Sequence, residues 1–216
     1  MKRSNKIALA VAAVTAASAV SFAFVAGGSD VASTLADLPV GKAAPDFRAG
    51  DAAGRLVGLS DFRGRTVVLE WSNPDCPSVQ KHYDSGNMQK TQAAAAAAGA
   101  VWLTINSSAE GNQGHLTPAE ARALIAGQPS RRTAYLLDPK GEVGRAYGAK
   151  ATPHLYVIDP AGTLVYNGGI DDKPTTDPAD IAGARNHVIA ALSELKAGKP
   201  VSVPTSRPYG CNVKYG

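Results

Sequence analysis

The chain contains two cysteines, Cys76 and Cys211, and the first stands where a reactive thiol is easily built. Cys76 lies in the stretch WSNPDCPSVQKHY, between a strand-like run and a helix-like run. A cysteine at a helix start faces unpaired backbone N–H groups and the positive end of the helix dipole, which favour the nucleophilic thiolate. The neighbouring Asp75 acts in the opposite direction. This position predicts a nucleophile whose pKa lies below that of a free thiol, and an inert buried cysteine is the alternative.

The second sulfur is not where a C-x-x-C motif would place it, because Val79 stands three residues after Cys76. The segment from Ala197 to Cys211 is long enough to cross the domain, since an extended chain gains about 3.3–3.6 Å per residue. A domain of this size has a radius of gyration of about 17 Å. Cys211 can therefore approach Cys76 in its own chain or in a neighbouring one. In an oxidising compartment the two are a candidate disulfide.

A predicted strand and a predicted helix position Cys76. Residues 66–71 are nearly all apolar, as in a strand covered on both faces, and residues 77–98 predict a helix that only Gly86 interrupts. Further strands are predicted at 101–105, 133–137, 155–159 and 163–166, with a small hairpin at 47–59, and further helices from 117, at 141–147 and from Asp177 to 196. This alternation predicts an α/β fold with a mixed central sheet flanked by helices.

The two ends of the chain differ in composition from its middle. Residues 1–23 have a basic start, an alanine-rich apolar run and a small-x-small sequence, which predict a secretory signal peptide; an uncleaved membrane anchor is the alternative. We expect a linker at 24–39, one domain at 40–197 and an extended C-terminal tail at 198–216, which holds three prolines and Cys211. The protein is therefore expected to be periplasmic or secreted, or membrane-anchored if residues 1–23 are retained.

The net charge gives no reason to expect a nucleic-acid partner. The chain has 22 Lys and Arg residues against 18 Asp and Glu. Residues 1–23 contribute three of the cations and no anion, so the formal net charge of +4 falls to +1 without them. The basic character therefore belongs largely to the predicted signal peptide and not to a binding surface.

Four features together resemble the thioredoxin superfamily and, within it, the redoxin branch of alkyl hydroperoxide reductase and thiol-specific antioxidant proteins. They are VGKAAPDF at 40–47, LSDFRGRTVVLEW at 59–71, the helix-start Cys76, and ATPH at 151–154 followed by an apolar strand. The resemblance covers residues 40–196. It implies a thioredoxin-like fold preceded by an N-terminal hairpin.

The resemblance also implies roles for three further residues. Pro153 matches the family's cis-proline, which turns the preceding backbone toward the cysteine so that it can bind a partner's extended chain; an ordinary trans proline is the alternative. Glu70 matches a buried acid that handles a proton during disulfide exchange, unless it lies at an exposed strand end. His154 is expected near Cys76, where it stabilises the thiolate or relays a proton, or else it lies on the surface.

The chain also departs from the family patterns. Val79 breaks the W-C-x-x-C pattern of thioredoxins, and Leu69 and Asn73 occupy the proline and threonine positions of the peroxiredoxin signature P-x-x-x-T-x-x-C. NPDCPSVQKHY, together with PYGC-x-VKY near the end of the chain, resembles a peroxiredoxin-like subgroup with one cysteine at the helix and another in the tail. The resemblance therefore implies that Cys211 supplies the second sulfur.

Other polar side chains have weaker claims to chemistry. Lys81 and His82 lie further along the predicted helix. A Cys/His metal site is not expected, because no C-x-x-C, C-x-x-x-C or H-x-x-x-H spacing exists. A calcium site is a further hypothesis, although helix capping explains the last two of its four aspartates, Asp171, Asp172, Asp177 and Asp180.

Two functions fit these observations. In the favoured one, an exported thiol–disulfide oxidoreductase or thiol-dependent peroxidase uses Cys76 to attack a disulfide-bearing protein or a peroxide, and Cys211 resolves the product. This function needs no bound cofactor, but it needs an external thiol reductant. In the alternative, a non-catalytic thioredoxin-fold binding protein uses a permanent Cys76–Cys211 disulfide to hold its tail.

Overall fold

The computed structural model describes Met1 and residues 38–216. The predicted signal peptide at 1–23 and most of the predicted linker at 24–39 lie outside the described residues. Within the described part, every helix is too short or too polar to cross a membrane.

A mixed sheet forms the centre of the domain. The described residues form nine strands: β1 (Arg48–Asp51), β2 (Leu56–Gly58), β3 (Val67–Trp71), β4 (Val101–Asn106), β5 (Ala134–Leu137), β6 (Ala151–Thr152), β7 (His154–Ile158), β8 (Leu164–Gly168) and β9 (Cys211–Asn212). Seven of them form one sheet in the order β2-β1-β5-β4-β3-β7-β8, and β6 pairs with β9. Strand β3 runs parallel to β4 and antiparallel to β7, so the sheet is mixed as predicted.

Helices cover both faces of this sheet. The described part contains five α-helices: α1 (Pro77–Asp84), α2 (Asn87–Ala97), α3 (Pro118–Gly127), α4 (Glu142–Tyr147) and α5 (His187–Lys196). Strand β3 shows how the faces divide, because its side chains alternate between them. Val67, Leu69 and Trp71 pack in one core with residues of α4, whereas Val68 packs in a second core with residues of α1, α2 and α5. Cys76 belongs to the second core.

Two predicted helices differ from the observed ones. Residues 77–98 form two helices, because Gly86 adopts a left-handed conformation (φ 74°) that ends α1 and becomes the N-cap of α2. Asp177 caps the short 3-10 helix Pro178–Gly183 and not the last α-helix. That helix, α5, begins at His187, where the Asn186 side chain accepts a hydrogen bond from Ile189 N at 3.0 Å.

Candidate thiol site

A short loop that Asn73 organises holds Cys76 at the end of β3. The Asn73 Oδ1 atom accepts a hydrogen bond from Asp75 N at 2.9 Å, and the Asn73 carbonyl accepts one from Cys76 N at 3.1 Å. Cys76 is the N-cap of α1, and Pro77 is the first residue of that helix. Its side chain is fully buried, in the same core as Val79. The structure therefore places this thiol between a buried strand and a helix start, as the sequence predicts.

Two backbone groups contact the Cys76 sulfur. Sγ donates to the Thr152 carbonyl oxygen at 3.1 Å when it is protonated, and it accepts a hydrogen bond from the backbone nitrogen of Cys211 at 3.3 Å. The Thr152–Pro153 peptide bond is cis, as predicted, while the role of Pro153 in binding a partner's chain stays a prediction. The cis-proline element and the tail therefore meet at the Cys76 sulfur.

The pKa of Cys76 lies below the ordinary value for a cysteine thiol. Burial alone would raise this pKa, but hydrogen bonds with the side chains of Thr152 and Cys211 and with the Cys211 N–H outweigh that effect. The Val79 N–H of α1 contributes least, and within the described structure the sulfur makes no capping hydrogen bond to the helix. The lowered pKa of Cys76 agrees with the prediction. The N–H group that donates directly to the sulfur, however, belongs to Cys211 in the tail and not to helix α1.

The tail reaches the site by adding a strand beside Thr152. Strand β9 runs antiparallel to β6, with Cys211 opposite Thr152 and Asn212 opposite Ala151. Gly210 precedes this pairing with φ 110°, in the range that favours glycine, and a Cβ atom there would lie 2.0 Å from the Thr152 oxygen. Any larger residue at position 210 would therefore push the tail away from the site.

Cys211 differs from Cys76 in acidity. Burial raises its pKa, and so do the hydrogen bond to Cys76 and the negative charge of the Cys76 thiolate, to about 11 in total, while Lys214 acts in the opposite direction. Both cysteines are free thiols in this structure. When the pair loses one proton, the proton therefore leaves Cys76.

Tyr209 anchors the tail in a buried polar site two residues before Cys211. Its hydroxyl donates to Asp171 Oδ1 at 2.6 Å and lies 2.9 Å from His82 Nε2. Asn87 Nδ2 donates to His82 Nδ1 at 2.8 Å, so the proton of a neutral His82 is on Nε2, which donates to the Tyr209 oxygen. A directed chain of hydrogen bonds therefore runs from Asn87 through His82 and Tyr209 to Asp171.

His82 is uncharged in this chain of hydrogen bonds. Burial lowers its pKa to about 4, although the negative charge of Asp171 acts in the opposite direction. Asp171 Oδ2 lies 3.9 Å from His82 Nε2 and has no hydrogen-bond partner among the described residues. The neighbouring Lys81 Nζ donates to the carbonyls of Lys173 and Thr175 at 3.1 and 3.0 Å. Lys81 and His82, which the sequence suggested only weakly as candidates for chemistry, are therefore both buried beside the tail.

Glu70 is fully buried and does not lie at an exposed strand end. Its carboxylate accepts hydrogen bonds from the Tyr83 hydroxyl at 2.8 and 3.0 Å, from Trp102 Nε1 at 2.8 Å and from the Thr104 hydroxyl at 2.9 Å. Burial and the Glu70 charge raise the pKa of Tyr83 well above its ordinary value, so its phenol remains a donor. Through Tyr83, Glu70 fixes helix α1, which begins next to Cys76. These contacts make Glu70 a positioning residue, and its role in proton transfer stays a prediction.

His154 is hydrogen-bonded on the other side of the sheet. Its Nε2 atom lies 2.7 Å from Asn167 Oδ1, and its Nδ1 atom lies 3.2 Å from the Tyr156 hydroxyl. Tyr156 belongs to the first core, whereas Cys76 belongs to the second. The structure therefore brings Cys76, Cys211 and Pro153 together and directs His154 toward Asn167. A role for His154 at the thiol stays a prediction.

The rest of the tail is also bound to the domain. Ser206 N donates to the Asn167 carbonyl at 3.2 Å, and the Tyr215 hydroxyl donates to the Ala149 carbonyl at 2.8 Å. Among these tail residues, sequence reasoning did not single out Tyr209, which makes the buried hydrogen bonds to Asp171 and His82. The available signal was the tyrosine and glycine residues that surround the tail cysteine in PYGC-x-VKY.

The structure explains the acidic residues that suggested calcium. The described residues contain no group of three or more His, Cys, Asp or Glu arranged to hold a metal ion. The four aspartates instead accept hydrogen bonds from protein donors, namely Lys173 N to Asp171, Arg185 N to Asp172, Ala179 N to Asp177 and the Thr175 hydroxyl to Asp180.

One family model matches most of the domain. The AhpC/TSA family model covers residues 40–167 of the chain. Those residues include β1 to β4, Cys76 and the cis-proline element, and they exclude the tail. Among curated proteins, none matches the chain significantly.

Several solved structures share this architecture. A hypothetical protein of Sinorhizobium meliloti 1021 has a TM-score of 0.68 and 26% identity, over 84% of this chain and 97% of that one. An uncharacterized conserved protein of Geobacillus kaustophilus has a TM-score of 0.66 and 27% identity, over 82% of this chain and 93% of that one. A Chlorobium tepidum protein described as a putative thiol:disulfide interchange protein, DsbE, has a TM-score of 0.50 and 28% identity, over 61% of this chain and 85% of that one. The thioredoxin-like fold that the sequence predicts is thereby confirmed.

Proposed function

The chain belongs to the AhpC/TSA family, and from that membership we propose that it is an exported thiol–disulfide oxidoreductase in which Cys76 is the nucleophile and Cys211 the resolving thiol. Members of this family are thiol oxidoreductases or peroxidases. The observation that carries the proposal is the contact between Cys211 N and Cys76 Sγ at 3.3 Å, because it delivers the tail cysteine to the buried thiol. Export rests on the signal peptide predicted at residues 1–23.

The proposed reaction has two exchange steps. The Cys76 thiolate attacks one sulfur of a partner's disulfide, so a Cys76–partner bond forms, the partner's own disulfide breaks, and its second sulfur leaves as a thiolate. The Cys211 thiolate then attacks the Cys76 sulfur, forms the Cys76–Cys211 disulfide and releases the partner's first sulfur as a thiolate. The partner gains two electrons and two protons from the enzyme, and an external dithiol later reduces the enzyme again.

The different acidities of the two thiols support these roles. The attacking sulfur is Cys76, whose pKa is lowered. The pKa of Cys211 is raised partly by the negative charge of the Cys76 thiolate. That charge disappears when Cys76 enters a disulfide, so the pKa of Cys211 falls at the step in which Cys211 must attack.

A hydroperoxide is a second candidate oxidant, because the family includes thiol-dependent peroxidases. The Cys76 thiolate would displace water or an alcohol from it and become a sulfenic acid, and Cys211 would condense with that group and release water. Leu69 and Asn73 stand where the peroxiredoxin signature has proline and threonine, and this difference favours disulfide exchange.

Mass spectrometry of the full chain after oxidation tests the proposal. In the natural sequence we expect one Cys76–Cys211 disulfide after treatment with either a disulfide or hydrogen peroxide. In Cys211→Ser we expect a persistent mixed disulfide on Cys76 with the first reagent, and sulfenic or over-oxidised products with the second. Cys76→Ser should abolish turnover.

Two other results would count against this function. If the pair is a structural staple, either cysteine variant should cost about 2–5 kcal/mol of stability and leave no reactive species on the other sulfur. If no oxidant joins the two cysteines, Cys211 is not the resolving thiol.

A further inference from the structure

The tail occupies a place that an external chain can also occupy. Strand β9 adds to β6 over two residues of each strand, and among the described strands β6 has no other partner. A strand edge binds an extended segment through backbone hydrogen bonds, and pockets for alternate side chains give it selectivity. The backbone pairing alone therefore does not distinguish the tail from a partner segment.

Selectivity comes from the subsite that holds Tyr209. Asp171 and His82 are buried and both contact the Tyr209 hydroxyl, at 2.6 and 2.9 Å. A phenylalanine or alanine at this place would leave two buried polar groups without that partner, which is costly. The Tyr209 hydroxyl donates to Asp171 Oδ1, which also accepts from Lys173 N at 3.0 Å, whereas Oδ2 has no hydrogen-bond partner among the described residues. Without the hydroxyl, this buried carboxylate keeps a single hydrogen-bond donor among those residues. A segment that enters the subsite is selected for tyrosine two residues before the cysteine.

The position between tyrosine and cysteine is also restricted. At Gly210 a Cβ atom would lie 2.0 Å from the Thr152 oxygen and 3.0 Å from Ser78 Cβ. Thr152 in β6 and Ser78 in α1, which create this limit, belong to the domain and not to the tail. Any segment that binds in the same register therefore needs glycine between its tyrosine and its cysteine.

We propose that the tail is an internal pseudo-substrate, and that β6 with the Asp171–His82 pair is the binding site for an extended partner segment of the form Tyr-Gly-Cys. This inference rests on the proposed function and names its substrate class. Cys76 is fully buried under the docked tail, so the tail leaves before a partner binds. After the first exchange the partner segment leaves β6 while its cysteine is still joined to Cys76, and the tail returns to the same site. The Cys211 thiolate then attacks the Cys76 sulfur, forms the Cys76–Cys211 disulfide and releases the partner's cysteine as a thiolate. One site thus serves both exchange steps in turn.

The first test measures the selectivity of the site in full-length Cys211→Ser. The probes are a peptide SRPYGCNV, which copies residues 206–213, and a control SRPAGCNV, each with its cysteine in a disulfide with thionitrobenzoate. The Cys76 thiolate attacks the peptide sulfur, and thionitrobenzoate leaves as a coloured thiolate, while mass spectrometry identifies the adduct. We expect the tyrosine peptide to react about tenfold faster than the alanine peptide.

The second test displaces the tail from the site. Adding Gly210→Ala to Cys211→Ser should speed the reaction with both peptides by about tenfold or more, because the site is then free in a larger fraction of molecules. Gly198→Ala is the matched control, since Gly198 also has a positive φ (66°) at the start of the tail but has no atom within 4 Å of the added Cβ. It should leave the rates unchanged. Tyr209→Phe should speed both reactions as well, by a smaller factor.

The outcomes separate this inference from the proposed function. If Cys211→Ser forms no peptide adduct on Cys76, or if Cys76→Ser combined with Cys211→Ser releases thionitrobenzoate as fast as Cys211→Ser alone, Cys76 is not the nucleophile and the proposed function fails. If Cys76 reacts but both peptides react at one rate, and Gly210→Ala gives no acceleration, only the pseudo-substrate proposal fails. A circular dichroism spectrum like that of Cys211→Ser shows that each variant is folded. Asp171→Asn should reduce the preference for the tyrosine peptide, and an unchanged preference would also overturn the inference.

Discussion

Cys76 and Cys211 lie side by side, but the two regions that carry them are built differently. Cys76 joins a five-residue buried strand to a helix, and the buried Glu70 carboxylate ties that helix to the sheet through Tyr83. Cys211 sits in a two-residue strand at the end of a tail, partly exposed. Its position depends on the pairing of β9 with β6, on the buried hydrogen bonds of Tyr209 and on further tail contacts such as that of Tyr215.

The difference shows how two identical side chains acquire different acidities. The rigid region holds its sulfur under backbone and side-chain donors, and the pKa of Cys76 falls. The tail supplies two of those donors, the thiol and the N–H of Cys211, and the pKa of Cys211 shifts in the opposite direction, to about 11. An acidic thiol suits attack, and a less acidic thiol on a tail that leaves the site, as we propose, suits resolution.

The largest expected effect concerns the acidity of the two thiols. Differential alkylation of the natural sequence across pH, read by mass spectrometry, should give a midpoint for Cys76 below about 8.5. The midpoint for Cys211 should lie near 11. In Cys76→Ser, the Cys211 midpoint should fall, because the charge and the hydrogen bond of Cys76 no longer raise it. Equal midpoints, or a reversed order, would contradict the division of tasks.

A second prediction concerns the rigid region alone. Glu70→Gln replaces a carboxylate that accepts from three side chains with an amide that has one acceptor oxygen and two donor hydrogens. Buried donors then lose their partners, and we expect the free energy of unfolding to fall by about 3 kcal/mol. Urea unfolding followed by circular dichroism measures it.

The matched control is Glu110→Gln, because Glu110 is exposed. It should change the free energy of unfolding by less than about 0.5 kcal/mol. A similarly small effect of Glu70→Gln would mean that the hydrogen bonds of Glu70 do not stabilise the region that carries Cys76.

The smallest expected effect lies where the two regions meet. His82 faces Asp171, Lys81 and Tyr209, and its pKa is about 4 in the folded protein. In the unfolded chain a histidine has a pKa of about 6.5, so the unfolded state binds more protons between these values. Stability should therefore rise with pH through this window and be lost as pH falls, by about 2 kcal/mol between about pH 7 and pH 5. Urea unfolding at the two pH values measures it.

His82→Gln should reduce this pH dependence, and His187, whose pKa burial also lowers, should contribute to what remains. A pH dependence that is the same in His82→Gln and in the natural sequence would mean that His82 does not titrate as proposed.

Most of the fold could be predicted because its signals are local. Apolar strands, turn residues and the capping box of Thr117 and Glu120 each occupy a few neighbouring positions. The start of α5 could not be predicted from the sequence, because Asp177 and Asn186 are both good capping residues. The choice depends on a distant contact, in which His187 N donates to the Ile170 carbonyl at 2.9 Å.

The site divides in the same way. Cys76, Cys211 and Pro153 could be found because each lies in a recognisable short motif. The Tyr209 subsite could not be found from the sequence, because His82 and Tyr209 are 127 positions apart and no sequence periodicity relates them. For His154, the alternation of side chains along β7 was available from the sequence. Since Leu155 faces the core of Cys76, its neighbour His154 faces the other core.

The close approach of Gly210 to Thr152 has a consequence for how such a tail can evolve. No side chain fits at position 210 while the tail is docked, so the glycine and the cysteine after it are useful only as a pair. A descendant that loses the glycine gains nothing from keeping the cysteine at the site. The two residues should therefore be inherited or lost together among relatives with this tail.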